Sequence, residues 1–220
     1  MVIKMDLLRE LALLKDPGGM FIVKHHLNVY YYSRVIARAM APGMTDIVET
    51  AAMWHDIGKI GMIEDILGKP GKLTDEEWLV MKTHPTLGAE LVRKFAASVN
   101  GGCGLNKQEM DEVVLVILCH HERWDGNGYP NGLKSEEIPL AARIIAVADA
   151  YDAMTAGRPY KAAVSRKEAL TEIMSCAGSQ FDPGVAEIFV KLLEEGEANG
   201  RKNEESEENE VKKIVALQGK

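Results

Sequence analysis

Trp54-His55-Asp56-Ile57-Gly58-Lys59 is the stretch on which the reading of this chain turns. It closes an apolar, helix-prone segment that begins near Thr45, and the helix is expected to run to about Ile57 and stop at Gly58. A histidine and an aspartate side by side at a helix end can approach one cation from neighbouring faces. Asp56 has two carboxylate oxygens, so it could bridge two ions. Lys59 follows His55 by four positions, which on a continuous helix puts its ammonium on the same side. Taken alone, the stretch reads more readily as a helix terminus with a surface lysine.

The remaining histidines change that balance. The chain has six, His25, His26, His55, His84, His120 and His121, and four of them fall in adjacent pairs. His120-His121-Glu122 follows the apolar run Val113–Cys119. Imidazoles next to so apolar a stretch need partners if they are buried. Asp149 and Asp152 stand three apart in the apolar segment around Ala141–Ala153, where a carboxylate is costly unless paired or bound to a metal. Imidazole nitrogen and carboxylate oxygen together suit iron, manganese, zinc or nickel. Cys119 lies beside the second histidine pair, but a buried free thiol is the better reading.

Working outward, almost every periodic segment reads as helix. Expected helices cover Asp6–Lys15, about Val23 to Met40, and about Thr45 to Ile57, with a break at Asp16-Pro17-Gly18-Gly19. Thr74-Asp75-Glu76-Glu77 and Ser165-Arg166-Lys167-Glu168 are capping boxes, and Pro85 bends or restarts the first of these helices. Asn106 caps the helix leading to His121, Leu140–Ala156 forms another, and Asp182-Pro183 opens a last one. Two loops rich in turn residues lie at Gly61–Lys72 and Trp124–Pro139. No run alternates convincingly as a strand, so the fold class is all-α.

Charge is unevenly placed. Of the net −7, the segment Glu194–Glu210 carries −6, with eight Glu against Arg201 and Lys202. Residues 196–220 are therefore expected to be an acidic, weakly ordered tail, with a short helix at Val211–Leu217. No basic stripe points to DNA. Three scattered cysteines fit a reducing compartment. Charged residues break residues 1–20 as a signal segment, and no run is long enough to span a membrane. A cytoplasmic location is expected.

The ordered text His55-Asp56-Ile57-Gly58-Lys59, Ile66–Thr74, Met81-Lys82-Thr83-His84-Pro85, His120–Pro130, Ile138–Ile144, Asp149–Thr155, Arg158-Pro159-Tyr160-Lys161 and Phe181-Asp182-Pro183 resembles the HD-GYP family of HD phosphohydrolases. The resemblance covers about residues 22–195. It implies an HD-domain helical bundle with a GYP loop and extra C-terminal helices. A catalytic domain would span 21–195, after an N-terminal helix and turn at 1–20.

The resemblance also implies roles. His25, His55, Asp56 and Asp149 would surround a first metal. Asp56 would bridge to a second, bound also by His84, His120 and His121. Lys59 would touch the scissile phosphate, and Arg158 and Lys161 would hold phosphate or guanine. The implied substrate is cyclic di-GMP, opened to pGpG and then to GMP by a hydroxide activated between two divalent ions, iron or manganese. The GYP loop would lie near the site and could serve as a docking surface for a regulatory or GGDEF-type protein.

Two departures bear on this. Phe21 stands where some members have a Glu that helps to hold a third metal, so two metals are expected. Asn28 replaces the usual Arg after the first histidine pair; spacing favours His25 over His26 as the ligand. Activity is expected to fall in acid as the histidines protonate. The alternatives are a cyclic di-GMP sensor that binds without turnover, and an HD phosphohydrolase acting on another nucleotide. Relatives commonly follow a receiver or sensor domain, for which residues 1–20 are too short.

Overall fold

The computed structural model describes residues 17–62, 66, 69, 71–98, 105–156 and 162–198. Within them the chain forms eight α-helices: α1 (Pro17–Met40), α2 (Thr45–Trp54), α3 (Asp75–Met81), α4 (His84–Ser98), α5 (Lys107–Cys119), α6 (Leu140–Thr155), α7 (Arg166–Ser175) and α8 (Pro183–Ala198). No strand forms among these residues beyond an isolated bridge between Ala177 and Phe181. The helices expected at Asp6–Lys15 and Val211–Leu217 lie outside the described residues, as does the tail beyond residue 198.

The starts of the helices follow local chemistry. Thr74, Asn106 and Ser165 each accept from the backbone N–H three residues on, and Glu77, Glu109 and Glu168 return the bond to the cap's own N–H. Each box satisfies two donors that the helix itself cannot. Asp182 Oδ1 accepts from the N–H of Gly184 at 2.8 Å, and Pro183 takes the first helical position.

Three boundaries differ from the sequence expectation. α1 begins at Pro17 instead of near Val23, so residues 17–19 of the expected break are helical. Proline at a first helical position needs no N–H partner, and the two glycines cost only about 1 kcal/mol each. α8 runs on to Ala198, past the expected boundary at 195. α2 ends at Trp54, and a 3₁₀ turn takes over at Ile57–Gly61.

That early stop has a packing cause. A Cβ at Gly58 would lie 2.0 Å from the carbonyl oxygen of His84 and 2.6 Å from the amide nitrogen of Gly88. The 3₁₀ turn therefore rests directly on the backbone of α4, a contact only glycine allows. It carries the end of α2 to the start of α4, the two places where His55-Asp56 and His84 sit.

The core fills the space between α1, α2, α5 and α6, with Val29, Ile36, Val48, Ala51, Val113, Ile117, Ile144 and Ile145 fully buried. Tyr32, Tyr151 and Phe189 meet edge to face, with centroids 4.9, 5.1 and 5.9 Å apart, and tie α8 to α1 and α6. Cys119 is buried and free, and burial followed by the nearby Glu122 charge pushes its thiol up to about 11. It is a neutral packing group.

Gly58→Ala is expected to lower stability by about 3 kcal/mol or more, because backbone has to move to admit the methyl group. Gly43, where an added methyl group would meet nothing within 4 Å, should tolerate alanine with little change. Chemical denaturation of the two variants checks the contrast.

Candidate metal centre

Helix ends build this site. The last carbonyls of an α-helix have no partner within the helix. His55 Nδ1 lies 2.7 Å from Ala52 O, His84 Nδ1 lies 2.8 Å from Met81 O, and His120 Nδ1 lies 2.6 Å from Ile117 O. Each carbonyl belongs to the last turn of α2, α3 or α5, three residues before the imidazole. The Nδ1–H donates to it, which fixes the tautomer and leaves Nε2 as a lone-pair donor facing inward.

Asp56 stands where these nitrogens meet. Its Oδ1 lies 3.2 Å from His84 Nε2 and 4.0 Å from His120 Nε2. Its Oδ2 lies 3.5 Å from His55 Nε2 and 3.7 Å from His25 Nε2. One oxygen thus faces α4 and α5, and the other faces α1 and the end of α2. Two groups of metal-capable atoms result, Asp56 with His84, His120 and His121, and Asp56 with His25 and His55.

α1 and α6 complete the second group. His25 Nε2 lies 3.3 Å from Asp149 Oδ1, while Nδ1 of the same ring lies 2.6 Å from Asp152 Oδ2. Asp149 and Asp152, one turn apart on α6, therefore frame the ring from both nitrogens. Asn28 Nδ2 donates to Asp152 Oδ1 at 2.6 Å, so the residue that departs from the family pattern orients the carboxylate behind His25. His26 is buried with its ring 5.0 Å from that of His55 and does not join either group.

The donor set suits divalent cations. Among the described residues, His55 Nε2 and Asp56 Oδ1 are buried without a hydrogen-bond partner. Such atoms are costly unless something binds them. His84 Nε2 and His120 Nε2 stand 3.3 Å apart. Ligands at right angles around a metal with bonds of about 2.1 Å lie about 3 Å from one another. The spacing is that of shared ligation, and it suits two neutral imidazoles poorly otherwise.

Electrostatics separate the histidines. Burial holds His55 below the usual imidazole value, and burial with neighbouring imidazoles holds His120 and His121 well below it. Burial thus favours the neutral form of all three. Burial opposes charge on His25 too, but Asp152, Asp56 and Asp149 outweigh it and push this imidazole up to about 10. Asp56 stays ionised well below the usual carboxylate range, its burial outweighed by Lys59 and the surrounding imidazoles. His25 is thus the imidazole whose charged form the surrounding carboxylates favour. Its proton balances the carboxylates until a cation replaces it.

Lys59 occupies a place that α-helical spacing did not foresee. Side chains three apart eclipse in a 3₁₀ turn. Its ammonium accordingly lies 2.5 Å from Asp56 Oδ2, on a partly exposed side chain at the rim. Arg158 and Lys161 lie outside the described residues. Asp152 and Glu122 are supporting residues to which sequence alone assigns no role, although the three-residue spacing of Asp149 and Asp152 is a visible signal. Glu122 is buried and accepts from Asn131 N at 2.7 Å and Leu133 N at 3.1 Å, which fastens the Gly126–Pro130 loop beside the histidines.

Comparison with known proteins agrees with this architecture. Residues 19–185 match the family model described as HD domain. The chain is 40% identical over 194 residues to a cyclic di-GMP phosphodiesterase of Thermotoga maritima, covering 86% of this chain and 50% of the relative. It is 34% identical over 174 residues to 3'3'-cGAMP-specific phosphodiesterase 2 of Vibrio cholerae, covering 78% of this chain and 31% of the relative. Among solved structures, Bd1817, an HDG"Y"P protein from Bdellovibrio bacteriovorus, superposes with a TM-score of 0.58 at 21% identity, over 77% of this chain and 51% of that one. The chain belongs to the HD domain family, in its HD-GYP branch. It spans about half or less of the length of the curated relatives it matches.

Two outcomes are expected. Because His25 is protonated at neutral pH and a ligating imidazole must be neutral, metal uptake should release about one proton at pH 7 and tighten as pH rises toward 10. Calorimetry in buffers of different ionisation enthalpy measures that release. Asp152→Ala should weaken metal binding by roughly 10–100-fold with the helical content retained, measured by chelator competition.

Proposed function

We propose that this chain is a metal-dependent phosphodiesterase that opens a cyclic dinucleotide, cyclic di-GMP foremost. The observation that carries the reading is Asp56, whose two oxygens each face a separate set of imidazole nitrogens. His25, His55, Asp56 and Asp149 would hold one divalent ion, and Asp56, His84, His120 and His121 a second. Iron or manganese suits these donors. Bound there, the pair would supply an activated water and positive charge for an in-line attack on phosphorus.

The chain's own residues supply the rest. Lys59 is hydrogen-bonded to Asp56 at the rim, so its ammonium is held within reach of a phosphate oxygen seated beside that carboxylate. It would stabilise charge that grows on the phosphoryl oxygens. The neutral His120 and His121 and the ionised Asp56 are already in the protonation states that ligation needs. Arg158 and Lys161 are proposed to hold a phosphate or guanine.

The names of relatives support a cyclic dinucleotide and leave two substrates in play, cyclic di-GMP and 3'3'-cGAMP. The products would be pGpG and then GMP. A cytoplasmic location is proposed along with that messenger; separately, no helix among the described residues is long and apolar enough to cross a membrane. Asn127 and Pro130 are exposed on the GYP loop, which is proposed as a surface for a regulatory or GGDEF-type partner. The catalytic unit is proposed to span 21–195, with the acidic segment 196–220 outside it.

Protein loaded anaerobically with iron(II) or manganese should convert cyclic di-GMP to linear product, and Asp56→Ala should not. Assay of 3'3'-cGAMP beside it ranks the substrates. Binding of the nucleotide without turnover, with metal retained, would instead identify a sensor. Metal analysis should give two ions per chain; three would overturn the two-metal site. Lys59→Ala should lower kcat by about 100-fold while metal content is unchanged.

A further inference from the structure

Five histidines converge on the centre, and four of them are oriented through Nδ1, His25 by Asp152 and His55, His84 and His120 by helix-end carbonyls. His121 is different. Among the described residues neither of its ring nitrogens makes a hydrogen bond. Its ring is instead stacked on Tyr129, with centroids 5.0 Å apart and planes 29° from parallel.

The chain around Tyr129 is built to hold that stack. Tyr129 N–H donates to His121 O at 3.2 Å, so the two residues are tied through backbone as well as rings. Glu122, next to His121, takes the N–H groups of Asn131 and Leu133 on its two oxygens. A Cβ at Gly128 would lie 2.4 Å from Arg123 N and 2.5 Å from Glu122 Cα, so the loop lies directly on the chain that follows His121. Trp78 of α3 also meets Tyr129, at 6.3 Å edge to face, and the Lys82 ammonium lies 5.6 Å from the Tyr129 ring and 5.8 Å from that of Trp78.

We propose that Tyr129 is the positioning residue for His121, and that its ring replaces the hydrogen bond that orients the other four imidazoles. A stack fixes the plane of a ring while leaving both nitrogens free. Trp78 and Lys82, at the end of α3, pack against Tyr129 as well and support the stack. The inference rests on the metal-ligand reading of His121, not on the identity of the substrate.

The test uses the full chain and counts bound manganese(II) by titration, with thermal unfolding followed by circular dichroism. Tyr129→Phe keeps the ring and should take up two ions with affinity within about threefold of the parent. Tyr129→Ala and Tyr129→Leu should retain the first ion and weaken the second by roughly 10–100-fold, as expected when an outer support of a metal ligand is lost. Tyr129→Leu fills much of the same volume, so it keeps the test valid if the alanine variant unfolds. Loss of the second ion in Tyr129→Phe would assign the role to the hydroxyl and overturn the proposal. Normal affinity in Tyr129→Leu would reduce the ring to packing and also overturn it. These readouts need no substrate: a parent that binds two ions but cleaves nothing refutes the phosphodiesterase reading alone.

Discussion

An ionised carboxylate buried between helices has to be compensated from every direction, and Asp56 is the point at which this structure meets that demand. Burial alone would drive it toward the neutral acid. Lys59 and the imidazoles reverse that. Most of those groups must arrive from other segments, because the chain after Asp56 turns at once onto Gly58 and the backbone of α4. The helix ends therefore gather around one side chain. The apolar core behind them, with Val113, Ile117, Ile144 and Ile145 buried, sets where those ends fall.

The helix termini contribute more than position. A terminal carbonyl without a partner is an ordinary defect of any helix. Here three such carbonyls accept the Nδ1–H of a histidine one turn on, so one bond caps the helix and selects the tautomer. Where the geometry of adjacent histidines leaves one without that device, an aromatic loop stands against it. The GYP segment is thereby joined to the histidine cluster by stacking, by Glu122 and by a glycine that no side chain could replace.

Much of this was legible in the sequence. The capping boxes at Thr74, Asn106 and Ser165 fix helix starts through local bonds alone, and each forms where its spelling places it. The histidines were conspicuous because pairing and apolar neighbours are unusual for them, and the structure brings His25, His55, Asp56, His84, His120, His121 and Asp149 together. The place of Lys59 was not legible, since the change from α to 3₁₀ winding depends on Gly58 touching the backbone of α4, a contact distant in sequence. Asp152 and Asn28 stood out by spacing and by departure from the family pattern, but their role was not legible. Their meaning lies in what faces His25, which no local pattern encodes. Pro17 and the two glycines after it spell a turn, yet they lie within α1.

The ligand-type residues come from α1, from the turn after α2, from α4, from the turn after α5 and from α6. Almost the whole described chain thus has to be folded before these atoms come near one another, and an unfolded chain holds no comparable site. Anything bound there favours the folded state by mass action, by about 2.7 kcal/mol when its free concentration is a hundred times its dissociation constant. With cations in the centre, metal supply becomes a variable of protein survival as well as of chemistry. A shortage of the ion would then lower the share of folded protein as well as emptying the centre.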